Sequence, residues 1–260
     1  MHTISPRQRE IRKRDAHILD VARQLLLADG YYGMTMDRIA DMSECPKGTM
    51  YQRFACKEDL ILALALGSVK RRLDMMRRGA SFAGRPRQRM AGVGEGVVLY
   101  ARLNPEDWHI IRISSGPIRE KGSTERIGAI QRIENDTADL VRGILLDAVN
   151  NGDLVVDGGT KVEGIAYALC ALAVGGYALV ENDVAQNALG VASPLRALSE
   201  VYNRLADGYG WQPLYSELDW EETLAEIRRT VFPDEAQQLY GHGCWYGDAG
   251  KARPRARQYS

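Results

Sequence analysis

Residues 35–60 constrain the fold more than any other part of the chain, because they predict two short helices joined by a tight turn. The hydroxyl of Thr35 can accept hydrogen bonds from the free N–H groups at the start of the first helix. Pro46 suits the first position of the second helix. That second helix is too short to be stable alone, so we expect neighbouring helices to hold it through Met50 and Phe54.

The polar side of the second helix faces away from these two apolar residues. It carries Lys47, Gly48, Thr49, Tyr51 and Gln52. A small helix that is held by its neighbours and presents such a side has the size and the chemistry to enter the major groove of DNA. The alternative is a helical hairpin that only packs inside the protein.

This stretch resembles the signature of the tetracycline-repressor (TetR/AcrR) family of regulators. The matching residues are Ile39-Ala40, Gly48-Thr49-Met50-Tyr51, Phe54 and Lys57-Glu58-Asp59-Leu60. The resemblance covers roughly the first quarter of the chain well and the remainder only in its helical layout. It implies DNA contacts by Thr35, Lys47, Gly48, Thr49, Tyr51, Gln52 and Lys57. It also implies that Tyr51 and Lys57 bind phosphates and that Gln52 lies near base edges.

Two residues in the turn depart from the family pattern. Glu44 stands where such proteins usually have glycine, and an L-residue with a positive φ there costs about 1 kcal/mol. Either the turn is slightly reshaped or the chain accepts this cost. Cys45 replaces the small apolar residue that normally anchors the turn in the core, and a free cysteine can fill that role.

The charge of the whole chain gives no general attraction to nucleic acid, because Lys plus Arg and Asp plus Glu both number 34. Any affinity for DNA must therefore come from local charge. Near the amino terminus, Arg7, Arg9, Arg12, Lys13 and Arg14 stand against Glu10. Such a basic arm can follow a phosphate backbone or enter a minor groove, and the alternative is a solvated terminus.

The cysteines indicate a reducing environment. Cys45, Cys56, Cys170 and Cys244 have none of the spacings typical of a zinc site or a redox pair,. The sequence also shows no signal peptide. We therefore expect a cytoplasmic protein without a metal or a cofactor.

Apolar residues recur at helical spacing along the chain, and no segment alternates like a strand, so we expect an all-α protein. An amino-terminal three-helix domain with the helix-turn-helix should occupy residues 1–60. A larger helical domain for effector binding and dimerisation should occupy residues 61–240. Residues 241–260 are predicted to form a flexible basic tail.

Residues 164–180 contain no charge and approach the lower length limit of a membrane span,. Their many small residues, and Glu163 and Glu181 at the two ends, favour a buried helix instead. A helix that is apolar all round must be covered on all sides. We expect its own domain to cover one side and a second copy of the chain to cover the other. The helices at residues 160–182 and 194–207 would form a four-helix homodimer interface. No membrane partner is expected.

A set of aromatic and polar residues is the candidate site for a small-molecule effector. The residues are Tyr100, Trp108, His109, Arg112, Glu134 and Thr137. The family resemblance implies that the helices carrying them surround a pocket, and aromatic walls with a few polar groups suit a hydrophobic or aromatic compound. The alternatives are ordinary core or surface positions, and for Glu134 and Thr137 the edge of an apolar stripe.

These features together predict a DNA-binding transcription regulator. We expect a homodimeric repressor that binds a palindromic operator in double-stranded DNA and is released by its effector. One alternative is a small-molecule-binding helical enzyme, which the sequence does not favour because it has no nucleophile-base pair, metal cluster or cofactor fingerprint. The other is a DNA-binding dimer without an effector, whose carboxy-terminal core would be filled.

Overall fold

The computed structural model describes residues 5–156, 159, 161–180 and 188–241. Every regular element within these ranges is a helix, which confirms the predicted all-α class. The predicted tail, residues 241–260, lies outside the described residues apart from Gly241.

The described part of the chain forms two compact units. Its helices are α1 (Pro6–Gly33), α2 (Met36–Met42), α3 (Lys47–Arg53), α4 (Lys57–Ala80), α5 (Pro86–Leu103), α6 (Pro105–Ile113), α7 (Pro117–Glu120), α8 (Thr124–Asn150), α9 (Val162–Val180), α10 (Pro194–Gly208), α11 (Trp220–Thr230) and α12 (Pro233–Tyr240), with a 3₁₀ turn at Tyr215–Glu217. The amino-terminal unit holds residues 5–71 and 104–134, and the carboxy-terminal unit holds the other described residues. Helices α4 and α8 contribute residues to both units. The domain limits predicted from the sequence stay a prediction.

The amino-terminal unit is built around an apolar core to which α1, α2, α3 and α4 all contribute. Ile18, Ile39 and Leu60 are fully buried in it. The two anchors predicted for the second short helix, Met50 and Phe54, belong to the same core. Because α2 and α3 have only 7 residues each, this packing is what stabilises them.

The carboxy-terminal unit has its apolar residues in two clusters. The larger contains Ile144, Leu145 and Trp211, and the smaller contains Leu99 and Phe232. Helix α10 packs on α9, while α11 and α12 both pack on α5. The last two helices therefore complete this unit by covering α5.

Helices α4 and α5 approach each other closely where each has a glycine. A Cβ atom at Gly92 would lie 2.3 Å from the carbonyl oxygen of Gly79. This is far shorter than a normal contact between heavy atoms, so neither residue can carry a side chain without moving a backbone. Gly94, two residues along α5, has open space around its Cβ position.

We expect Gly92→Ala to lower the free energy of unfolding by about 2 kcal/mol, because the added methyl group must push α4 and α5 apart. Gly94→Ala is the matched control and should stabilise the protein by up to about 1 kcal/mol, because alanine is the better helix former. Urea unfolding of both variants measures the difference. Equal stabilities would contradict the close approach.

Candidate nucleic-acid interface

The start of α2 is organised as the sequence predicts. Thr35 has extended backbone angles, and its side-chain oxygen accepts a hydrogen bond from the backbone N–H of Arg38 at 3.3 Å. Asp37, the second residue of α2, pairs with the ammonium of Lys47 at 2.7 Å. This hydrogen bond raises the pKa of Lys47. Since both side chains are exposed, the pair links the starts of α2 and α3 at the protein surface.

The turn between α2 and α3 keeps the geometry of a glycine turn although it has no glycine. Glu44 has a φ of 51°, so the chain accepts the strain rather than reshaping the turn. The next residue, Cys45, donates its backbone N–H to the carbonyl of Ala40 at 3.1 Å, and its side chain is buried in the core. Cys45 therefore anchors the turn, as its small apolar side chain predicts.

Helix α3 begins at Lys47, one residue later than predicted. Pro46 is its N-cap, because its ψ of 130° is not helical, and its carbonyl accepts the backbone N–H groups of Thr49 and Met50. The polar face consists of Lys47, Gly48, Tyr51 and Gln52, which are exposed, and Thr49, which is half-buried.

Gly48 has open space around its Cβ position. No packing inside the protein therefore requires glycine there. An exposed helical glycine allows another molecule to approach the backbone closely. The exposed face of α3 thus combines hydrogen-bonding side chains with a position where the helix itself can be approached.

Lys57, at the start of α4, is held by the end of α1. Its ammonium donates to the carbonyl oxygen of Tyr31 at 2.8 Å and lies 3.8 Å from the centre of the Tyr31 ring. The Tyr31 hydroxyl in turn donates to the Glu58 carboxylate, and this hydrogen bond raises the pKa of Tyr31 to about 12. Because an ammonium has three donors, this contact still leaves Lys57 able to bind a phosphate.

The last residue of α3 is fixed by two contacts that the sequence did not suggest. Arg53 donates through its guanidinium to both carboxylate oxygens of Asp15 on α1. Its backbone carbonyl accepts from Arg126, near the start of α8, at 3.2 Å. The Arg126 guanidinium also lies 4.8 Å from the centre of the Phe54 ring and pairs with Asp59. Three separate helices thereby determine where α3 ends.

Asp59 is the buried charge that keeps Arg126 in place. Burial alone would raise the pKa of its carboxyl, but hydrogen bonds from Ser123 and Arg126 outweigh burial, and the pKa lies below its usual value. The backbone N–H of Ser123 donates to this carboxylate at 2.9 Å. No local signal marks Arg126 for this role, because it lies 73 residues from Arg53 and 67 from Asp59.

The carboxy-terminal unit contains a cavity of about 450 Å³ whose wall is formed by α4, α5 and α8 to α11. Much of the wall is apolar, with Met90, Val93 and Leu169 among its residues. Two buried arginines add polar groups. Arg87 binds the Asp207 carboxylate at 2.6 Å, and Arg228 binds Glu95 at 2.7 Å.

The six residues predicted to contact an effector do not line this cavity. Tyr100 is buried in α5, and Thr137 lies on α8, both in the carboxy-terminal unit. The others, Trp108, His109, Arg112 and Glu134, belong to the amino-terminal unit. The Glu134 carboxylate is engaged by Arg119 at 2.7 and 3.0 Å. The structure therefore does not bring the six residues together at the cavity, and their contact with an effector stays a prediction.

Within the described residues, helix α9 has one packed face and one exposed face. Ile165 and Leu169 are buried, whereas Tyr167 and Val174 are 77% and 73% exposed. Among the described helices, α9 is long and apolar enough to cross a membrane, but only 22% of its most apolar stretch is buried within the chain. Exposed apolar surface of this extent is typical of an interaction surface.

Residues 18–64 match the family model described as bacterial regulatory proteins, tetR family. Similar solved structures include a TetR/AcrR-family transcriptional regulator from Thermobifida fusca YX-ER1, which is 21% identical over 76% of this chain and 98% of its own, with a TM-score of 0.57. A tetR-family regulatory protein from Rhodococcus RHA1 is 19% identical over 76% of this chain and 98% of its own, with a TM-score of 0.56.

A third similar structure is the fatty acid degradation regulator FadR from Bacillus halodurans. It is 18% identical over 75% of this chain and 95% of its own, with a TM-score of 0.52. At such identities these likenesses establish a shared fold. Among curated proteins, none matches the chain.

We expect Glu44→Gly to raise the free energy of unfolding by about 1 kcal/mol, because glycine adopts a positive φ without strain. Glu44→Ala removes the same carboxylate but keeps a Cβ atom, so it should give no comparable gain. Urea unfolding compares the two variants with the wild type. If alanine stabilised the protein as much as glycine, the charge of Glu44 rather than its backbone would be the cause.

Proposed function

We propose that this chain, which belongs to the tetR family of bacterial regulatory proteins, is a cytoplasmic repressor that binds a palindromic operator as a homodimer and is released by a small-molecule effector. The observation that carries the proposal is the exposed polar face of α3, whose opposite side is anchored by the buried Met50 and Phe54. A short helix with a fixed base and an open polar face is suited to the major groove.

The proposed DNA contacts are those that the family resemblance implies. They are Thr35, Lys47, Gly48, Thr49, Tyr51, Gln52 and Lys57. The hydroxyl of Tyr51 and the ammonium of Lys57 are assigned to phosphates, and the amide of Gln52 to base edges, where it can both donate and accept hydrogen bonds. Tyr51 is 48% exposed, so its hydroxyl can reach a partner outside the protein.

The exposed face of α9 supports the proposed homodimer. In a homodimer, Tyr167 and Val174 of each protomer can be buried by α9 of the other protomer. A two-fold axis requires that both protomers use this same surface. Helix α10, which packs on α9, would complete a four-helix interface. Two copies related in this way carry two α3 helices, which suits two half-sites in successive major grooves.

The cavity supports the proposed effector. Its volume, about 450 Å³, lies within the range of small-molecule sites, and its apolar wall with few polar groups suits a hydrophobic or aromatic compound. A filled core, as expected of a regulator without an effector, would not leave this space. The effector would release DNA by favouring a dimer whose α3 helices are wrongly spaced for the operator. For this to happen, the effector must bind that state of the dimer more tightly than it binds the DNA-bound state.

The direct test is selection of DNA by the full-length protein from a pool of random-sequence duplexes, followed by affinity measurements on the selected site. We expect a symmetric sequence. Tyr51→Phe should then weaken binding by about 1.5 kcal/mol per protomer, or roughly tenfold, because one hydrogen bond to a charged phosphate is lost. Tyr209→Phe removes the same hydroxyl in the carboxy-terminal unit and should leave affinity unchanged. Unchanged affinity in Tyr51→Phe at several salt concentrations would contradict the assigned docking.

We expect Val174→Glu to convert the dimer to a monomer, because it would place a carboxylate inside the proposed apolar interface. Val155→Glu is the matched control, since Val155 is 78% exposed and lies outside both interface helices. Sedimentation velocity reports the oligomeric state of each variant. A dimeric Val174→Glu protein would place the interface elsewhere.

A further inference from the structure

The basic residues at the amino terminus belong to a well-formed helix. Ser5 and Gln8 form a capping box at the start of α1, with each backbone N–H donating to the side chain of the other at 3.2 Å. Pro6 occupies the first helical position, where its missing N–H costs nothing,. The cations that follow are therefore presented in fixed directions.

Two of these cations lie on the same face of α1 as Ile18, which packs into the core later in the helix. Since each residue turns the helix by about 100°, Arg7, Ile11 and Arg14 all lie within about 40° of Ile18. Ile18 is fully buried, but Arg7 and Arg14 are exposed. The face of α1 that is apolar at Ile18 thus carries exposed cations in its first turns. Arg9 and Lys13 lie about 140° or more from Ile18, on the opposite face.

The cationic face of α1 is adjacent to the end of α3. Asp15, one residue after Arg14, holds the guanidinium of Arg53, the last residue of α3. Arg14 is therefore next in the chain to a residue that fixes the end of α3.

Among the described residues, these two arginines have no strong ion pair. Asp15 is taken by Arg53. Glu10 reaches Arg14 only at 4.0 Å, and both side chains are about half or more exposed, so this pair is weak and screened by salt. The first turn of α1 contains no acidic residue, although the helix dipole favours one there. The dipole adds positive potential to the same end of the helix.

We propose that Arg7 and Arg14 bind phosphates of the DNA that flanks the segment contacted by α3, so that each protomer has a second anchoring point outside the helix-turn-helix. This inference rests on the proposed function. It assigns the occupant of the cationic face by charge complementarity and by its continuity with α3. The two arginines add affinity and fix the orientation of α1 on the duplex, while base recognition remains with α3.

The test compares Arg7→Gln/Arg14→Gln with Arg9→Gln/Lys13→Gln in the full-length protein. Both double variants lower the net charge by two on the same helix, and glutamine is a good helix former, so folding and long-range attraction change equally. Affinity for the selected site is measured over a series of salt concentrations. For Arg7→Gln/Arg14→Gln, the slope of log affinity against log salt should become shallower by about two per protomer. The slope for Arg9→Gln/Lys13→Gln should stay close to that of the wild type.

A second arm uses a duplex trimmed to the selected sequence, from which the flanking phosphates are missing. On this duplex the difference between the two variants should vanish. Equal changes in both variants on the long duplex, or a difference that persists on the trimmed one, would overturn the inference while leaving the proposed function intact. If the wild type selected no symmetric sequence at all, the proposed function itself would fail and this inference with it.

Discussion

The burial of Met50 and Phe54 is the interaction on which the amino-terminal unit depends. Helix α3 has 7 residues, too few to form without support. Its inner side supplies a fully buried methionine and an almost fully buried phenylalanine to the core, while Arg126 and Asp15 hold its final residue. With its base fixed in this way, α3 can expose Lys47, Tyr51 and Gln52. The polar face is therefore preorganised, so little conformational entropy remains to be lost when it binds.

The local features of this unit could be predicted from the sequence because their causes are local. The cap at Thr35 and the anchoring of the turn by Cys45 follow from residues within one or two turns of each other. The position of Glu44 in the turn raises the question of strain, but its positive φ is decided only by the structure,. The contacts that orient α3 could not be predicted, since Arg126 and Asp15 come from helices far away in the sequence. Helical periodicity indicates which face of α1 or α8 is buried, but not which residue it meets.

The cavity illustrates the same limit more strongly. Its wall combines single faces of six helices. No spacing rule predicts which helix faces line a cavity and which pack directly against one another. Arg87 is an example: it is 2% exposed and binds the carbonyls of Trp211 and Pro213 at 2.6 and 2.7 Å. In the sequence it is one of several arginines after a proline. Its role depends on the turn after α10, more than one hundred residues later,.

The overall neutrality of the chain makes the arrangement of its ion pairs decisive for binding DNA. Without a net attractive field, non-specific affinity must come from cations that can exchange their protein partners for phosphates. These exchanges differ in cost. The exposed pair of Lys47 and Asp37 is readily broken,, whereas Arg53 is held through two nitrogens by a largely buried Asp15,. Arg53 is therefore structural, whereas Lys47 at the start of α3 can exchange its carboxylate partner for a phosphate at little cost,.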